Sequence, residues 1–538
     1  NSFYVSMDGN NNNPGTESAP FKTIGHALSL VKDDSTITTT IHVGEGVFSP
    51  STTGEQFPIV LPDHVHLLGA SRETSILDAE ADLDKQSRVI KIVEECQNIK
   101  VANFTITGGN SVSAGCIGGG GILVTHPDLK YDHDAPMSPV DAVFENLIVT
   151  GNHAAAGGGI SIWRVSGPTL SDLIIQENTS EKYGGGLMIY TSVASVTGVT
   201  VRGNNCVVDS SSGGGIIINH SEATLTKISV TDNTAFWGGG ISIFQTDAVL
   251  TNLTVSGNVA TDLGGGLMVG ANANAMLTNS IIWGNDPNPL FGSPTIAYSN
   301  LEGGCPACTA VINADPLFVD ADNGDFTLQV GSPCIDTGTA DIDGDGVDDI
   351  TDYFGNAPDM GAFEFYMAVT GLQYTIENSS VILDWNPIEN VQYYQLERST
   401  DPLFTENVVT NFLTGNNYTD NSLEWDTEYF YRVAAYIGFW TDYSNVISLT
   451  LEWVGIADGD GIPTVYKVHQ NHPNPFNPTT KLRYDLPEAS HVRIMIYDLM
   501  GREIRTLVDM DQKAGYRSIQ WNAANDLGQP VSAGMYLY

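Results

Sequence analysis

The run Asp341-Ile342-Asp343-Gly344-Asp345-Gly346-Val347-Asp348-Asp349-Ile350-Thr351-Asp352 has the spacing of a calcium loop. Carboxylates at Asp341, Asp343, Asp345, Asp349 and Asp352, with the backbone carbonyl of Val347, occupy the ligand positions, and Gly346 stands where the chain must turn sharply. Carboxylates this close repel one another without a cation, so calcium is the expected cofactor. Asp352 replaces the usual longer Glu and no helical pattern flanks the run, which points to modest affinity, an extracellular setting and a structural role. The shorter Asp458-Gly459-Asp460-Gly461 reads as linker.

A second group could bind a sugar or a partner. Trp163, Tyr190 and Phe244 share one expected outward column, where aromatic faces can stack on sugar rings; a neighbouring loop shielding them is the alternative. The insertion at residues 126–134 carries His126, His133 and three Asp beside Arg164, a set that could bind a metal, exchange protons or serve as an ordinary polar loop. No catalytic residue is assigned. The outward columns Leu123, Ser161, Met188, Ile217, Ser242, Met268 and Thr125, Trp163, Tyr190, Asn219, Phe244, Gly270 hold no acid or base. A glycosidase needs two carboxylates about 5–9.5 Å apart, and a lyase needs a base near a cation. Residues 251–365 contain no Lys or Arg, and Arg164, Lys182, Arg202 and Lys227 read as solvated charges.

These residues sit on an internal repeat. A glycine triplet ends at Gly121, Gly159, Gly186, Gly215, Gly240 and Gly266, with gaps of 38, 27, 29, 25 and 26. An asparagine follows each, at Asn152, Asn178, Asn204, Asn233, Asn258 and Asn285. The positions eight, five and three before each Asn are apolar almost throughout, as in Leu170, Leu173, Ile175 and Val196, Val199, Val201. The first and third positions after each triplet are apolar too (Ile160 and Ile162; Leu187 and Ile189), the alternation of a strand with one buried face. Each repeat is therefore expected to be one coil of a solenoid, stacked about 4.8 Å from the next. The glycines mark a tight bend, and the Asn tolerates left-handed backbone while its amide bonds to the Asn of the next coil. Residues 23–32 read as a short amphipathic capping helix before a first strand at Ile41-His42-Val43.

Length and charge bound the rest. A chain of 538 residues with formal net charge −41 is expected to hold three domains and not to bind nucleic acid. No apolar run is long enough to span a membrane as a helix, and Asn1 leads into Phe3-Tyr4-Val5 as a processed chain would. Six cysteines fit an oxidising space, and Cys305-Pro306-Ala307-Cys308 reads as a structural disulfide or free thiols in the absence of a second ligand pair.

Three resemblances follow from particular residues. Tyr4-Val5-Ser6, Gly9, Asn10, Pro14-Gly15-Thr16, Pro20-Phe21 and Thr23-Ile24 resemble the start of secreted right-handed β-helix proteins of the pectin-lyase-like superfamily, and the coils are similar to repeats of chlamydial polymorphic outer membrane proteins. Trp385, Tyr394-Gln395-Leu396, Leu423, Thr427, Tyr429 and Tyr431-Arg432-Val433 resemble a fibronectin type III sandwich with its tyrosine corner at Tyr429. From residue 461 onward eight basic and seven acidic residues leave a net +1 against −42 for the remainder. Gln470-Asn471-His472-Pro473-Asn474-Pro475-Phe476-Asn477-Pro478, Ile496-Tyr497-Asp498, Trp521 and Ser532-Ala533-Gly534-Met535-Tyr536 in this part resemble a C-terminal sorting domain of type IX secretion. That resemblance implies export through the type IX machinery of an outer-membrane bacterium and a further strand beyond Tyr538.

The expected fold is all-β: a right-handed parallel β-helix over residues 1–365 with a calcium-loop cap, then two antiparallel Ig-like β-sandwiches over 366–455 and 466–538, joined by a linker at 456–465. The expected function is a secreted, non-enzymatic structural or adhesive protein of the cell surface or extracellular space. Its partners would be cell-surface polysaccharide, or other copies reached by strand donation from Ser2-Phe3-Tyr4-Val5-Ser6 to an open sandwich edge. The alternative is a calcium-dependent lyase or glycoside hydrolase of acidic polysaccharide, suggested by the fold resemblance and the insertion.

Overall fold

The computed structural model describes residues 1–32, 37–93, 96–114, 118–126, 137–377, 380–388, 391–424, 427–437, 440–450, 462–476, 478–526, 529–532 and 534–538. The chain divides into two compact units, Asn1–Phe365 and Tyr366–Tyr538. The first is a parallel β-helix and the second holds antiparallel sheets.

One coil shows how the helix is built. Strand Ile160–Trp163 follows the triplet, Val165–Ser171 and Ile174–Gln176 form a bent second side, and Thr179–Tyr183 leads to the next triplet. Four corners separate these segments, and each holds one left-handed residue: Arg164 (φ 54°), Asp172 (φ 56°), Glu177 (φ 54°) and Gly184 (φ 60°). Two inward columns then keep their register from coil to coil, with the shifts confined to other positions such as Ser166/Thr169. Ile160 pairs with Leu187, Ile216, Ile241 and Leu267 in turn, and Val149 leads through Ile175, Val201, Val230 and Val255 to Ile282. All of these side chains are essentially dry, so each coil buries its apolar face only because its neighbours exist.

The asparagines form a buried ladder. Amide donations run from Asn152 to Asn178, Asn204, Asn233, Asn258 and Asn285, each at 2.9–3.0 Å. Their own backbone is not left-handed, contrary to expectation. That conformation falls on the preceding residue, Gly151, Glu177, Gly203, Asp232, Gly257 or Gly284, which frees the Asn side chain to point inward. The triplets are needed for close approach: a Cβ at Gly158 would lie 2.4 Å from the carbonyl oxygens of Gly185 and Thr179.

At the start of the helix Ser2–Val5 pairs in parallel with Thr39–Val43, so the solenoid begins one strand earlier than expected. This also corrects the strand-donation idea, because the segment is used in its own first coil. The capping helix is shorter than expected, Ile24–Ser29, with Thr23 as its N-cap. Buried Glu55 accepts from the backbone N–H groups of Ile24 and Gly25 at 2.6 and 2.9 Å.

At the other end, residues 333–365 run along the flank of the coils instead of forming the expected end cap. The left-handed corners at Asn252 and Asn279 explain this. Asn252 Nδ2 donates to the carbonyls of Asp359 and Gly361 (3.0 and 3.3 Å), and Asn279 exchanges bonds with the Thr339 backbone at 2.8 Å each. Cys305 and Cys308 are joined by a disulfide, Cys96, Cys206 and Cys334 are buried free thiols, and Cys116 lies outside the described residues.

The second unit contains two pairs of facing sheets. Gln373–Glu377, Ser380–Asp384 and Asn417–Asp420 form one sheet; Val409–Leu413, Tyr393–Ser399, Glu428–Tyr436 and Ile447–Thr450 form another, with Trp385, Tyr394 and Tyr431 buried in their common core. The hydroxyl of Tyr429 accepts from the N–H of Glu424 (3.2 Å), tying the strand back to its own entry. Two smaller sheets share a core of Leu482, Ile496 and Trp521, onto which Tyr536 and Phe476 pack.

Candidate functional site

The strands after the triplets do point alternate residues away from the solenoid core, but pointing outward here does not mean being wet. Leu123, Met188, Ile217 and Ala156 make a second apolar cluster with Trp163, which is 1% exposed. Trp163 stacks on Tyr190 with ring centroids 4.2 Å apart and planes 11° apart. The expected exposed column is therefore corrected: Trp163 is buried, and Tyr190 and Phe244 are half-buried at the cluster's rim. Arg164 is buried as well, at a left-handed corner. Among the described residues the cover comes from neighbouring strands of the solenoid, whereas the expected alternative was a shielding loop. His126 continues the ladder by donating its N–H to the Trp163 carbonyl at 3.1 Å, while residues 127–136, His133 among them, lie outside the described residues.

One corner further along each coil lies the feature that column reading missed. Arg164, Thr191, His220 and Gln245 each occupy the left-handed corner five residues beyond a triplet. Ser192 and Ser221 brace it from below: Ser192 N donates to Ser221 Oγ (3.1 Å), and Ser221 Oγ donates back to the carbonyls of Asn219 and Ile189 (2.8 and 3.2 Å). Beyond the corner the strands step outward and leave a groove of about 840 Å³ that crosses several coils. Pro168, Ser195, His220, Glu222, Gln245 and Asp247 are among the residues that line it. The parallel register pairs Thr224 with Val249, which sets exposed Glu222 beside exposed Asp247 in the next coil. Asn274 Nδ2 holds Asp247 Oδ1 at 2.9 Å. The signal was present in the sequence: the fifth position after these triplets is polar each time, two residues beyond the second buried apolar position of the strand.

The acidic loop is partly gathered. Carboxylate oxygens of Asp341, Asp343 and Asp345 lie within 4.8 Å of one another. Backbone N–H groups hold them in place: Gly344 and Gly346 donate to Asp341 (2.7 and 2.9 Å), Asp345 to Asp343 (3.1 Å) and Val347 to Asp345 (2.8 Å). Asp349 closes the loop from the other side by accepting from the N–H of Ile342 at 2.8 Å. Asp352, expected as the last ligand, is elsewhere, with Oδ2 3.4 Å from Lys227 Nζ on the flank of the solenoid. Three hard oxygen donors at this spacing suit a calcium ion with several water ligands.

Beneath the flanking segment sit two carboxyls that the sequence did not single out. Burial raises Glu364 to about 7 and Asp359 to about 6, with the charge of Asp359 adding to the rise at Glu364 and that of Asp336 to the rise at Asp359. Glu364 Oε1 accepts from the N–H groups of Phe354 and Asp359 (3.2 Å each), and Asp359 Oδ1 accepts from Asp336 N (2.8 Å). Their role is to tie the segment together. The thiols of Cys206 and Cys334 are pushed up by burial to about 12 and about 11, so neither is a ready nucleophile.

Among solved structures, the chain resembles carrot pectin methylesterase at 13% identity, covering 60% of this chain and 91% of that one with a TM-score of 0.28. It resembles tailspike protein 2 of an Escherichia coli O157:H7 bacteriophage at 10% identity, covering 93% and 68% with a TM-score of 0.26. An Fn3-like protein from Clostridium thermocellum matches 15% of this chain at 29% identity, covering 88% of that chain with a TM-score of 0.14. No curated protein matches the chain. The profile of a protein family of unknown function, DUF1565, matches residues 7–282, more than half of the length and all of the triplet-bearing coils. The chain belongs to the DUF1565 family.

Proposed function

We propose that this chain is a secreted, non-enzymatic surface protein in which the β-helix is a rigid rod that presents the Glu222–Asp247 groove to a glycan. The groove carries the reading. It is large enough for two or three sugar rings, and its imidazole, amide, hydroxyl and carboxylate groups match the alternating donors and acceptors of sugar hydroxyls. A carboxylate-lined groove on a chain of net charge −41 favours a neutral or cationic glycan over an acidic one.

The remaining parts fit the same picture. Residues 366–455 act as a fibronectin type III spacer, on the strength of Trp385, Tyr394 and the tie between Tyr429 and Glu424. Residues 466–538 act as a type IX sorting domain, on the strength of the Asn-Pro-Phe-Asn-Pro segment and the buried Trp521. Calcium at Asp341, Asp343 and Asp345 stiffens the loop of the flanking segment, and no chemical step needs it.

A glycan array probed with the full chain tests the proposal. Binding should survive without turnover and weaken about tenfold or more in Glu222→Gln/Asp247→Asn, since each lost charge-assisted bond is worth about 1.5–3 kcal/mol. Robust formation of unsaturated products or new reducing ends from pectate, alginate or a glycosaminoglycan with calcium would overturn the non-enzymatic reading.

A further inference from the structure

The four-stranded sheet of the Tyr366–Tyr538 unit has two unlike faces. Along Tyr393–Ser399 the inward residues Tyr394 and Leu396 are buried, while Tyr393, Gln395 and Glu397 face the other way. Cross-strand register adds Tyr436 beside Tyr393, Arg432 beside Glu397 and Phe412 beside Gln395. Trp440 completes an outer cluster. Its ring centroid lies 5.4 Å from Tyr393, 5.3 Å from Tyr436 and 6.3 Å from Phe412, and Tyr393 stacks on Tyr436 at 5.0 Å. Phe412 and Trp440 stand at 80° and 76° to the Tyr393 ring. Phe412 is 62% exposed and Trp440 36%.

We infer that this outer face binds a neutral polysaccharide whose sugars present flat, apolar C–H faces, as β-linked glucose or xylose units do. Three observations point to that occupant. Four touching aromatic side chains left partly wet on a sheet are costly unless something covers them. Their wet area is small: with Tyr393 and Tyr436 less exposed than Trp440, about 430 Å² is the ceiling at roughly 250 Å² per side chain, about half the ~800 Å² per partner that a stable protein interface needs. It is ample for a few sugar rings. The charges bordering the aromatic cluster also cancel on a strongly acidic chain, because Arg432 Nη2 is 2.7 Å from Glu397 Oε2 and lies between the rings of Phe404 and Tyr443, 4.1 and 3.9 Å from their centroids, while Glu428 on the same face lies at the opposite end of its strand from Tyr436. Gln395 Nε2 donates to Tyr443 Oη (2.9 Å) and Glu397 Oε1 (2.8 Å), setting a polar border for ring hydroxyls beside the aromatic cluster. This site is independent of the solenoid groove.

Native affinity electrophoresis of the full chain through gels containing mixed-linkage β-glucan or xylan is the test, with sedimentation on microcrystalline cellulose beside it. The wild type should be retarded. Phe412→Ala should weaken retardation several-fold and Phe412→Ala/Trp440→Ala about tenfold or more, with thermal midpoints unchanged for the first. Glu222→Gln/Asp247→Asn should leave it intact, so that failure of the groove and failure of this face are separable. The inference is overturned if neither polysaccharide nor cellulose retains the chain, or if the double variant binds as the wild type does. It is also overturned if the wild type dimerises through this face and the double variant does not.

Discussion

Removing one rung of the asparagine ladder should unzip its coil. Asn204 is 1% exposed, and its Oδ1 accepts from both the backbone and the side-chain nitrogen of Asn178 at 3.0 Å. Its Nδ2 donates to Ile175 O, Arg202 O and Asn233 Oδ1 at 2.9, 3.1 and 3.0 Å. In Asn204→Ala the Asn178 side chain keeps its bond to Val149 O (2.9 Å), but the Asn178 backbone N–H is left buried with no acceptor. That orphan costs about 1–3 kcal/mol, and the lost donations to the buried Ile175 carbonyl and the part-buried Arg202 carbonyl about 1 kcal/mol each. Some is returned because Ala has no side-chain rotamers to freeze, which leaves a net of about 3 kcal/mol. Repeat arrays need not unfold in one step, so the local readout is amide hydrogen exchange. Exchange at Asn178 should speed up about a hundredfold. Asn204→Asp should be worse than Ala, because a carboxylate would face Ile175 O, Arg202 O and Asn233 Oδ1. A change below about threefold in Asn204→Ala would refute the claim that the ladder holds the coils together.

Other perturbations separate the remaining parts of the account. Gly158→Ala should prevent soluble expression, because its Cβ would sit 2.4 Å from two carbonyl oxygens of the stacked coil, whereas Gly415→Ala meets nothing within 4 Å at an ordinary backbone conformation and should be mild, as expression yield and melting would show. The flanking segment should loosen as pH rises. Glu364 and Asp359 titrate above their ordinary values in the fold, so the native state holds more protons than the unfolded chain from about pH 4 to about pH 7, and stability falls across that window. Limited proteolysis between residues 333 and 365 should follow that trend in the wild type and flatten in Glu364→Gln; a rate independent of pH would exclude the pair as its cause. Chelation should lower the thermal midpoint of the wild type but not of Asp343→Ala, since a ligand bound only by the fold stabilises it by about 2.7 kcal/mol at a hundred times its Kd.

Much of the β-helix was legible because its information is local and repeated. Leu170, Leu173 and Ile175 sit at fixed distances before Asn178, and the same spacing recurs before Asn152, Asn204, Asn233 and Asn258. The corners were harder to read, because a left-handed position accepts Arg164, Thr191, His220 or Gln245 as readily as glycine when stacking over-determines the backbone. Direction was right for Trp163 and exposure was wrong: its cover comes from Tyr190, Leu123 and Ala156, which lie on other strands and follow no pattern in its own. The flanking segment was beyond reach for the same reason, since Asn252 meets Asp359 across 107 residues. The groove falls between these cases. Glu222 and Asp247 occupy a readable column, but only the stacking of coils turns that column into a wall.

The central claim, that the groove on the β-helix is the glycan-binding surface, is tested most directly by amide hydrogen exchange of the full chain with and without a saccharide selected on the array. Slower exchange should be confined to residues 193–195, 220–224 and 245–249 and be lost in Glu222→Gln/Asp247→Asn. Protection that appears elsewhere on the solenoid, or that persists unchanged in the double variant, would contradict it.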